Sequence, residues 1–359
     1  MKGPLSPTTP PIADRYSIQA YLGAGGMQHV YLANDMIFER QVALKVPKDN
    51  SGNARFAKSA VVSAQVNHAN IAKTLDYIDF DGACYLVEEF VQGADLSKLF
   101  PKPIPYLPPS LVARILHQLA RGLAASHTAG VVHRDLKPSN IMIFGGESFV
   151  NAKITDFGIA KMAEDEIGTW AKDGGQTSTS SKTILGAIPY MAPESITDFG
   201  KSGFEADVWA IGAIAHELLT GKKPFGTGLK SIPAILEAKT PTRTSMIAGA
   251  QFSQDGADIS TIIEGCLGKE PDQRPTAEEL VEQIGAVCYP ATAYETATIN
   301  HKQTQSIGFA QSEGKKSVMC HKDNFYGHRQ FSVGKKVFFA RTPGSPNDRA
   351  FPIVLVDED

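Results

Sequence analysis

Cysteine and long apolar runs are both scarce in this sequence of 359 residues. Its four cysteines lie far apart and form no C-x-x-C pair, which favours buried, reduced thiols over a disulfide framework. No segment approaches the roughly 18 consecutive apolar residues of a membrane span. Residues 1–14 are rich in proline and lack the apolar core of a signal peptide. We therefore expect a cytoplasmic protein that has no membrane partner.

Neither positive nor negative charge is in large excess in this sequence. The formal net charge is −3, and 20% of the residues are charged. A nucleic-acid partner would require a strongly basic face, so we expect none. Apolar residues make up 42% of the chain, which is enough for a buried core, and the length suggests two or more structural units.

The predicted secondary structure changes near residue 92. Before this point, β-rich runs separated by turn residues predict strands, with one helix over residues 53–66. After it, apolar spacing predicts a helix from Ser110 to about Ala129, and T-A-E-E at Thr276 predicts a capping box that begins another. A strand-rich part followed by a helical part predicts an α+β fold of two lobes with a cleft between them.

The C-terminal residues have a composition of their own. Residues 289–317 are rich in Thr, Ser, Gln and Ala and are predicted to form a linker. Residues 318–359 contain two strand-like runs, QFSVGKKVFFA and FPIVLV, and are predicted to form a small β appendage. Cys320, His321 and His328 are too few and too scattered to indicate a metal site. We interpret the appendage as a docking element.

A glycine-rich segment and a lysine follow one another among the predicted strands. The segment Gly23–Val30 reads GAGGMQHV, and its glycines allow the backbone to approach phosphates closely. Lys45 lies in V-A-L-K, where its ammonium can pair with the α- and β-phosphates of a nucleotide. Neither signal is specific alone, because glycine turns and strand lysines are common.

A second group of motifs is far more specific. The run His133–Asn140 reads HRDLKPSN, in which Asp135 can orient an acceptor hydroxyl and accept its proton, while Asn140 can bind a metal. Asp156, in D-F-G, supplies the carboxylate that Mg²⁺ prefers. The order of these motifs along the chain predicts phosphoryl transfer from a nucleotide.

Together these motifs resemble those of the eukaryotic-like (Hanks-type) serine/threonine protein kinase family, and the G-G-M glycine loop resembles its bacterial branch. The resemblance covers residues 15–288. It implies the bilobal kinase fold, with an N-lobe over residues 15–91 and a C-lobe over residues 92–288, after a flexible lead of residues 1–14. It also implies transfer of the ATP γ-phosphate to Ser or Thr hydroxyls of protein substrates, with Mg²⁺ as the cation and Mn²⁺ as an alternative.

The resemblance implies roles for individual residues as well. Lys45, Asp135 and Lys137 form the catalytic set, and Lys137 points to Ser/Thr rather than Tyr specificity. Asn140 and Asp156 hold the metal. The structural residues are Arg134, Glu194, Asp207, which steadies the catalytic loop, and Arg274, which pairs with Glu194. The nucleotide-binding positions are Leu22, Gly23, Gly25, Gly26, Val30, Ala43, Lys45, Glu88 and, at the hinge to adenine, Glu89 and Val91.

The sequence departs from the family pattern at the partner of Lys45. The helix position that carries a glutamate in the family is Ser59 here, and no Glu occurs between Glu39 and Glu88. Glu88 falls at the gatekeeper position, behind the nucleotide pocket. We hypothesise that Glu88 pairs with Lys45 in place of the helix glutamate. The alternative is a register shifted by one residue, with Glu88 facing solvent.

Two further departures are Ala187, where the family has a Thr that bonds the catalytic Asp and Lys, and Gln28, in the place of the third glycine. Together with Ser59 they favour a pseudokinase-like, nucleotide-binding scaffold as the alternative function. The presence of all the residues for phosphate, proton and metal favours an active kinase. A small-molecule phosphotransferase is disfavoured, because Ala192-Pro193-Glu194 and the long segment before it serve peptide substrates.

The segment from Asp156 to Glu194 is rich in hydroxyl side chains. Arg134, beside Asp135, can pair with a phosphate and so order this segment. We predict autophosphorylation here, through transient self-association of two copies. The candidate sites are Thr169, Thr177, Ser178, Thr179, Ser180, Ser181 and Thr183.

Overall fold

The computed structural model describes most of the chain. The described residues are 3–24, 28–48, 53–99, 103–145, 151–157, 185–198, 200, 202–239, 252–287, 289, 292–327 and 331–356. Gly25, Gly26 and all the phosphorylation candidates lie outside them, as does the side chain of Ser59.

The N-terminal lobe is a five-stranded antiparallel sheet with a helix against one face. Because successive side chains of a strand point to opposite faces, Leu44 and Val87 pack with Tyr31 on one face, while Leu86 packs with Phe56 of the helix on the other. The strand order is β1-β2-β3-β5-β4. The elements are β1 (Tyr16–Ala24), β2 (Gln28–Asp35), β3 (Arg40–Pro47), α1 (Asn53–Ala64), β4 (Thr74–Phe80) and β5 (Ala83–Glu89).

Helices build the second lobe around one large core. The first long helix, α3 (Pro109–Thr128), begins one residue before the predicted start and ends one before Ala129. Thr276 caps the last helix through the predicted capping box with Glu279. None of the helices in the described ranges is long and apolar enough to cross a membrane. The others are α2 (Leu96–Leu99), α4 (Pro193–Thr197), α5 (Phe204–Thr220), α6 (Ile232–Glu237), α7 (Ser253–Cys266) and α8 (Ala277–Gly285).

A small antiparallel sheet joins the two lobes. Its strands are β6 (Gly93–Asp95), β7 (Ile141–Phe144) and β8 (Asn151–Ile154), and a bridge links Ile154 to Ile71 of the N-terminal lobe. The predicted α+β fold of two lobes is confirmed.

The residues after α8 form a closed five-stranded barrel. The prediction of a linker over residues 289–317 is wrong, because two strands lie within it, and the β unit begins at Tyr294 rather than at residue 318. Inward side chains such as Ala297, Ile299 and Ala310 alternate with polar outward ones, so the composition hid the strand period. The strands are β9 (Tyr294–Lys302), β10 (Ile307–Gln311), β11 (Val318–His321), β12 (Lys336–Thr342) and β13 (Arg349–Leu355).

The barrel packs on the helical lobe and shares its core. Its strand order is β10-β11-β13-β12-β9, with β11 parallel to β13, which is the topology of the OB fold. Tyr326 is buried and donates its hydroxyl to the carbonyl of Leu219 in α5, at 3.0 Å. Its ring meets those of Tyr106 and Phe252 edge-on, with centroids 5.6 Å and 5.3 Å away. The barrel is therefore an integral part of the helical lobe.

Candidate active site

Four strands of the N-terminal lobe present the predicted nucleotide positions. The register sets Lys45 of β3 opposite Val30 of β2, and Ala43 of β3 opposite Glu88 of β5. Ala43 and Lys45 are two residues apart, so both face the cleft. Leu22 lies near the end of β1, followed directly by Gly23, and is 45% exposed.

The predicted hinge residues lie where β5 ends. Glu89 is the last residue of β5, and Val91 is buried just beyond it. The carboxylate of Glu89 is 2.5 Å from the ammonium of Lys153 in β8, a contact that the sequence motifs do not indicate. This ion pair ties the hinge to the small sheet of the second lobe.

Lys45 lies between two carboxylates at the back of the cleft. Its Nζ is 2.7 Å from Oδ1 of Asp156 and makes an ion pair with Oε2 of Glu88. The side chains of Lys45 and Glu88 are each only 5% exposed. The structure therefore places Glu88 against Lys45, and the alternative with Glu88 facing solvent does not hold.

The three charges affect one another strongly because they are buried together. Burial alone would lower the pKa of Lys45, but the charges of Asp156 and Glu88 outweigh it and raise that pKa above its usual value. Burial raises the pKa of Glu88, and Lys45 only partly offsets this. Burial also acts to raise the pKa of Asp156, yet the charge of Lys45 holds it below the usual range. Within one cluster the pKa of Glu88 is therefore shifted upward and the pKa of Asp156 downward.

Gln28 is a fourth member of this cluster, and the sequence motifs gave it no role. Its Nε2 donates to Oδ1 of Asp156 at 2.9 Å, so this oxygen accepts from both Gln28 and Lys45. The Gln28 side chain is buried, and its Oε1 has no hydrogen-bond partner among the described residues.

The catalytic loop is fixed by Asp207 in the first turn of α5. Its two carboxylate oxygens accept the backbone N–H groups of His133 and Arg134, both at 2.8 Å. Arg134 has φ +64°, a left-handed conformation that is costly for a side chain with a Cβ and persists only when its surroundings impose it. His133 in turn contacts the carbonyl of Thr155 at 2.9 Å and packs against the ring of Phe157. These contacts hold the catalytic loop against the D-F-G strand end.

Asp135 lies within this loop between two donors. Lys137 Nζ is 2.7 Å from its Oδ2 and 2.9 Å from its Oδ1. Asn140 donates through Nδ2 to the carbonyl of Asp135 at 2.8 Å. Ala187 lines the same small cavity as Asp135 and has no hydroxyl to offer to the pair that Lys137 and Asp135 form.

The donor set suits a divalent cation shared with phosphates. Because Asn140 uses its amide nitrogen on Asp135, its oxygen is the end left for a cation, and Asp156 adds a carboxylate. No group of three or more His, Cys, Asp or Glu side chains that could hold a metal occurs in the described part of the chain. Mg²⁺ is commonly held by one or two protein oxygens with nucleotide phosphates and water completing the octahedron, so the residues fit it.

An ion pair in the helical lobe closes the constellation. Arg274 makes two parallel bonds to the carboxylate of Glu194, at 2.7 Å and 2.9 Å. The same guanidinium donates to the backbone carbonyls of Glu205, Gly268 and Lys269. Bidentate pairs of this kind are geometrically specific, so Arg274 fixes α4 against the start of α5 and the segment between α7 and α8.

Lys45, Asp156 and Asp135, to which the sequence motifs give the phosphate, the cation and the acceptor hydroxyl, thus lie around one cleft of a two-lobe fold. The protein kinase domain family matches residues 16–284, and the chain belongs to this family.

Bacterial kinases are among the proteins that the chain resembles. The serine/threonine-protein kinase PrkC of Bacillus subtilis is 32% identical over 300 residues, which cover 81% of this chain and 42% of PrkC. The probable serine/threonine-protein kinase PknB of Corynebacterium glutamicum is 31% identical over 308 residues, covering 82% of this chain and 45% of PknB. The chain therefore spans less than half the length of either relative.

Solved structures support the fold. Rad53 in complex with AMP-PNP superposes with a TM-score of 0.58 at 23% identity, covering 76% of this chain and 65% of the Rad53 chain. The kinase domain of Mycobacterium tuberculosis PknI gives a TM-score of 0.56 at 24% identity, covering 79% of this chain and 98% of the PknI chain.

Proposed function

We propose that this chain is an active serine/threonine protein kinase, which transfers the γ-phosphate of ATP to Ser or Thr hydroxyls of protein substrates. The observation that carries the proposal is the direct linkage of the metal-binding and proton-accepting segments. Thr155, next to Asp156, donates its backbone N–H to the carbonyl of Asn140 at 2.9 Å, and its own carbonyl bonds to His133. The serine/threonine-protein kinases among its relatives support the same activity.

Each residue has a task in this proposal. Asp135 accepts the proton of the substrate hydroxyl, and Lys137 beside it balances the charge that develops. Lys45 contacts the α- and β-phosphates and keeps Glu88 as its partner. Asn140 and Asp156 bind the cation, which we propose to be Mg²⁺, with Mn²⁺ as an alternative. A bound divalent cation offsets the charge of the phosphate oxygens.

The scaffold alternative loses one of its three supports. One of them was Ser59, which would leave Lys45 without a partner and the buried ammonium uncompensated. Lys45 instead has the carboxylate of Glu88 from strand β5. The other two departures, Gln28 and Ala187, remove no metal ligand and no proton acceptor.

Regulation and location stay as proposals made from the sequence. We propose autophosphorylation within residues 169–183, by transient self-association, with Arg134 as a partner for the phosphate. The expected cytoplasmic location, and the expected lack of nucleic-acid and membrane partners, also stay predictions. Phosphopeptide mapping of the purified protein and fractionation of its host cells test these points.

The activity itself is tested with labelled ATP and Mg²⁺, using wild type beside Asp135→Asn. We expect label on Ser or Thr of the wild type and of a generic protein substrate, and a loss of roughly 100-fold or more in the variant, because a positioned base contributes about 10²–10⁴-fold. Unchanged nucleotide binding in the variant serves as the control for folding. The wild type could instead bind nucleotide and stay as inactive as the variant with either Mg²⁺ or Mn²⁺. That result would favour the nucleotide-binding scaffold over the active kinase.

A further inference from the structure

Gln28 connects the glycine loop to the carboxylate that is to hold the metal. It is the first residue of β2, directly after the loop, and its side chain is buried with only 6% exposed. Its amide nitrogen donates to Oδ1 of Asp156 at 2.9 Å across the cleft. This bond links the first residue of β2 to the second lobe.

The bond occupies one of the two oxygens with which Asp156 can bind a cation. Oδ1 of Asp156 already accepts from Lys45 at 2.7 Å, so with Gln28 it has two donors, which fill its lone pairs. Lys45 leaves Asp156 when phosphates enter, because the phosphates are its new partners. A cation that binds through Oδ1 also displaces Gln28, because an amide N–H directed at a cation is repelled by it.

The same side chain is held at a cost. Gln28 Oε1 is buried and has no hydrogen-bond partner among the residues described. A buried acceptor without a partner is destabilising, and this oxygen gains a partner in water or at a cation's hydration shell once the side chain turns away. The hydrogen bond between Gln28 and Asp156 therefore forms at a cost in free energy that is relieved when the side chain turns away.

We propose that Gln28 competes with the divalent cation for Asp156, and so sets the cation concentration at which the kinase takes up its nucleotide. This rests on the proposed function, since it requires that Asp156 bind the cation of a metal–nucleotide complex. A glycine at this position, as in the family pattern, would have no side chain to compete.

The test measures binding rather than catalysis. A fluorescent ATP analogue is titrated onto the full chain at a series of Mg²⁺ concentrations, for wild type, Gln28→Ala and Gln28→Met. Methionine keeps the length of glutamine and its packing but has no N–H, so it separates the hydrogen bond from the volume. Gln41→Ala is the matched control, because Gln41 is an exposed residue on β3 whose side-chain amide donates to Gln19.

We expect the Mg²⁺ concentration at half-saturation to fall about tenfold in both Gln28 variants, the size expected for one hydrogen bond to a charged group. Without Mg²⁺, the dissociation constant of the ATP analogue should change by less than about twofold in the Gln28 variants. Gln41→Ala should match wild type in both measurements. Faster backbone amide exchange in β1 and β2 of the Gln28 variants, measured without nucleotide, would report the loss of the hydrogen bond to Asp156 directly.

Two outcomes would overturn the idea while leaving the kinase assignment intact. One is an unchanged Mg²⁺ requirement in both variants. The other is a higher requirement, which would make Gln28 a ligand rather than a competitor. If wild type binds no nucleotide with any cation, it is the proposed function that fails.

Discussion

At the residue scale, Glu88 supplies from strand β5 the carboxylate that Lys45 lacks on helix α1. A buried ammonium without a partner is strongly destabilising, and α1 contains no acidic residue at all. Asp156 also neutralises Lys45, but in the proposed function Asp156 binds the cation that accompanies the nucleotide. Glu88 is then the carboxylate that keeps Lys45 in place.

We expect Glu88→Gln to lower kcat/KM by about 10- to 100-fold, because removing one partner of a buried pair costs about 3–5 kcal/mol and Asp156 makes up part of it. Steady-state kinetics and nucleotide affinity measure the loss. Glutamine preserves the shape, so the effect reports the charge.

A second substitution tests the reason. Adding Ser59→Glu restores a carboxylate at the helix position that the family uses, and we expect it to recover part of the lost kcat/KM. Ser59→Glu alone, with Glu88 intact, is the control and should gain little. Full activity in Glu88→Gln would show that Lys45 needs no partner besides Asp156.

Single residues show where the sequence was informative. Counting along β5 predicted the pairing of Glu88 with Lys45, because strand register fixes which side chains face the cleft. The contact of Gln28 was not predictable, since it joins residues 128 positions apart through a side chain that the family motif lacks. Family motifs contain the residues that the chemistry common to the family requires, and Gln28 is not one of these residues.

At the scale of elements, helix α5 holds the catalytic loop. Asp207, which is 1% exposed, accepts two backbone N–H groups and contacts His127 Nε2 at 3.0 Å. Without its carboxylate, both N–H groups of the loop would be buried without acceptors, and the left-handed Arg134 would lose the contact that imposes it.

We expect Asp207→Ala to lower the free energy of unfolding by about 2–5 kcal/mol, since each buried donor left without an acceptor costs about 1–3 kcal/mol. We also expect kcat to fall, because Asp135 is carried by the same loop. Urea denaturation and single-turnover phosphorylation measure the two effects. Glu282→Ala, an exposed acidic residue on α8, is the control and should change neither. Wild-type values of both quantities in Asp207→Ala would contradict this role.

Elements differ in how far the sequence predicts them. Helix α3 was predicted to within one residue at each end, because its apolar stripe is long and regular. Strands β9 and β10 were missed, because their inner side chains include small ones such as Ala297 and Ala310 and their outer ones resemble a linker. These strands form because the barrel closes through pairing between strands, and a local sequence pattern does not show such pairing.

At the scale of the whole molecule, the barrel and the helical lobe are expected to unfold together. Tyr294, Phe338 and Val354 of the barrel belong to the same apolar core as Trp209 of α5. A shared core makes unfolding of the two parts cooperative, since neither can open without exposing the other. Damage on the barrel side should therefore be felt in the kinase domain.

Gly327 offers a test at this interface. It has φ +81°, and a Cβ there would lie 2.2 Å from the hydroxyl oxygen of Tyr106 in the helical lobe. Gly334, with φ +91°, has nothing within 4 Å of a Cβ placed on it.

Gly334→Ala should cost about 1–2 kcal/mol from backbone strain alone, and Gly327→Ala about 1–3 kcal/mol more from overpacking. Tryptophan fluorescence, measured in a Trp170→Phe background so that it reports Trp209, which is buried in the helical lobe, follows the unfolding in urea. We expect one transition for each variant, with Gly327→Ala shifted furthest. Equal shifts in the two variants, or a Trp209 signal that ignores both, would show that the barrel is an independent unit.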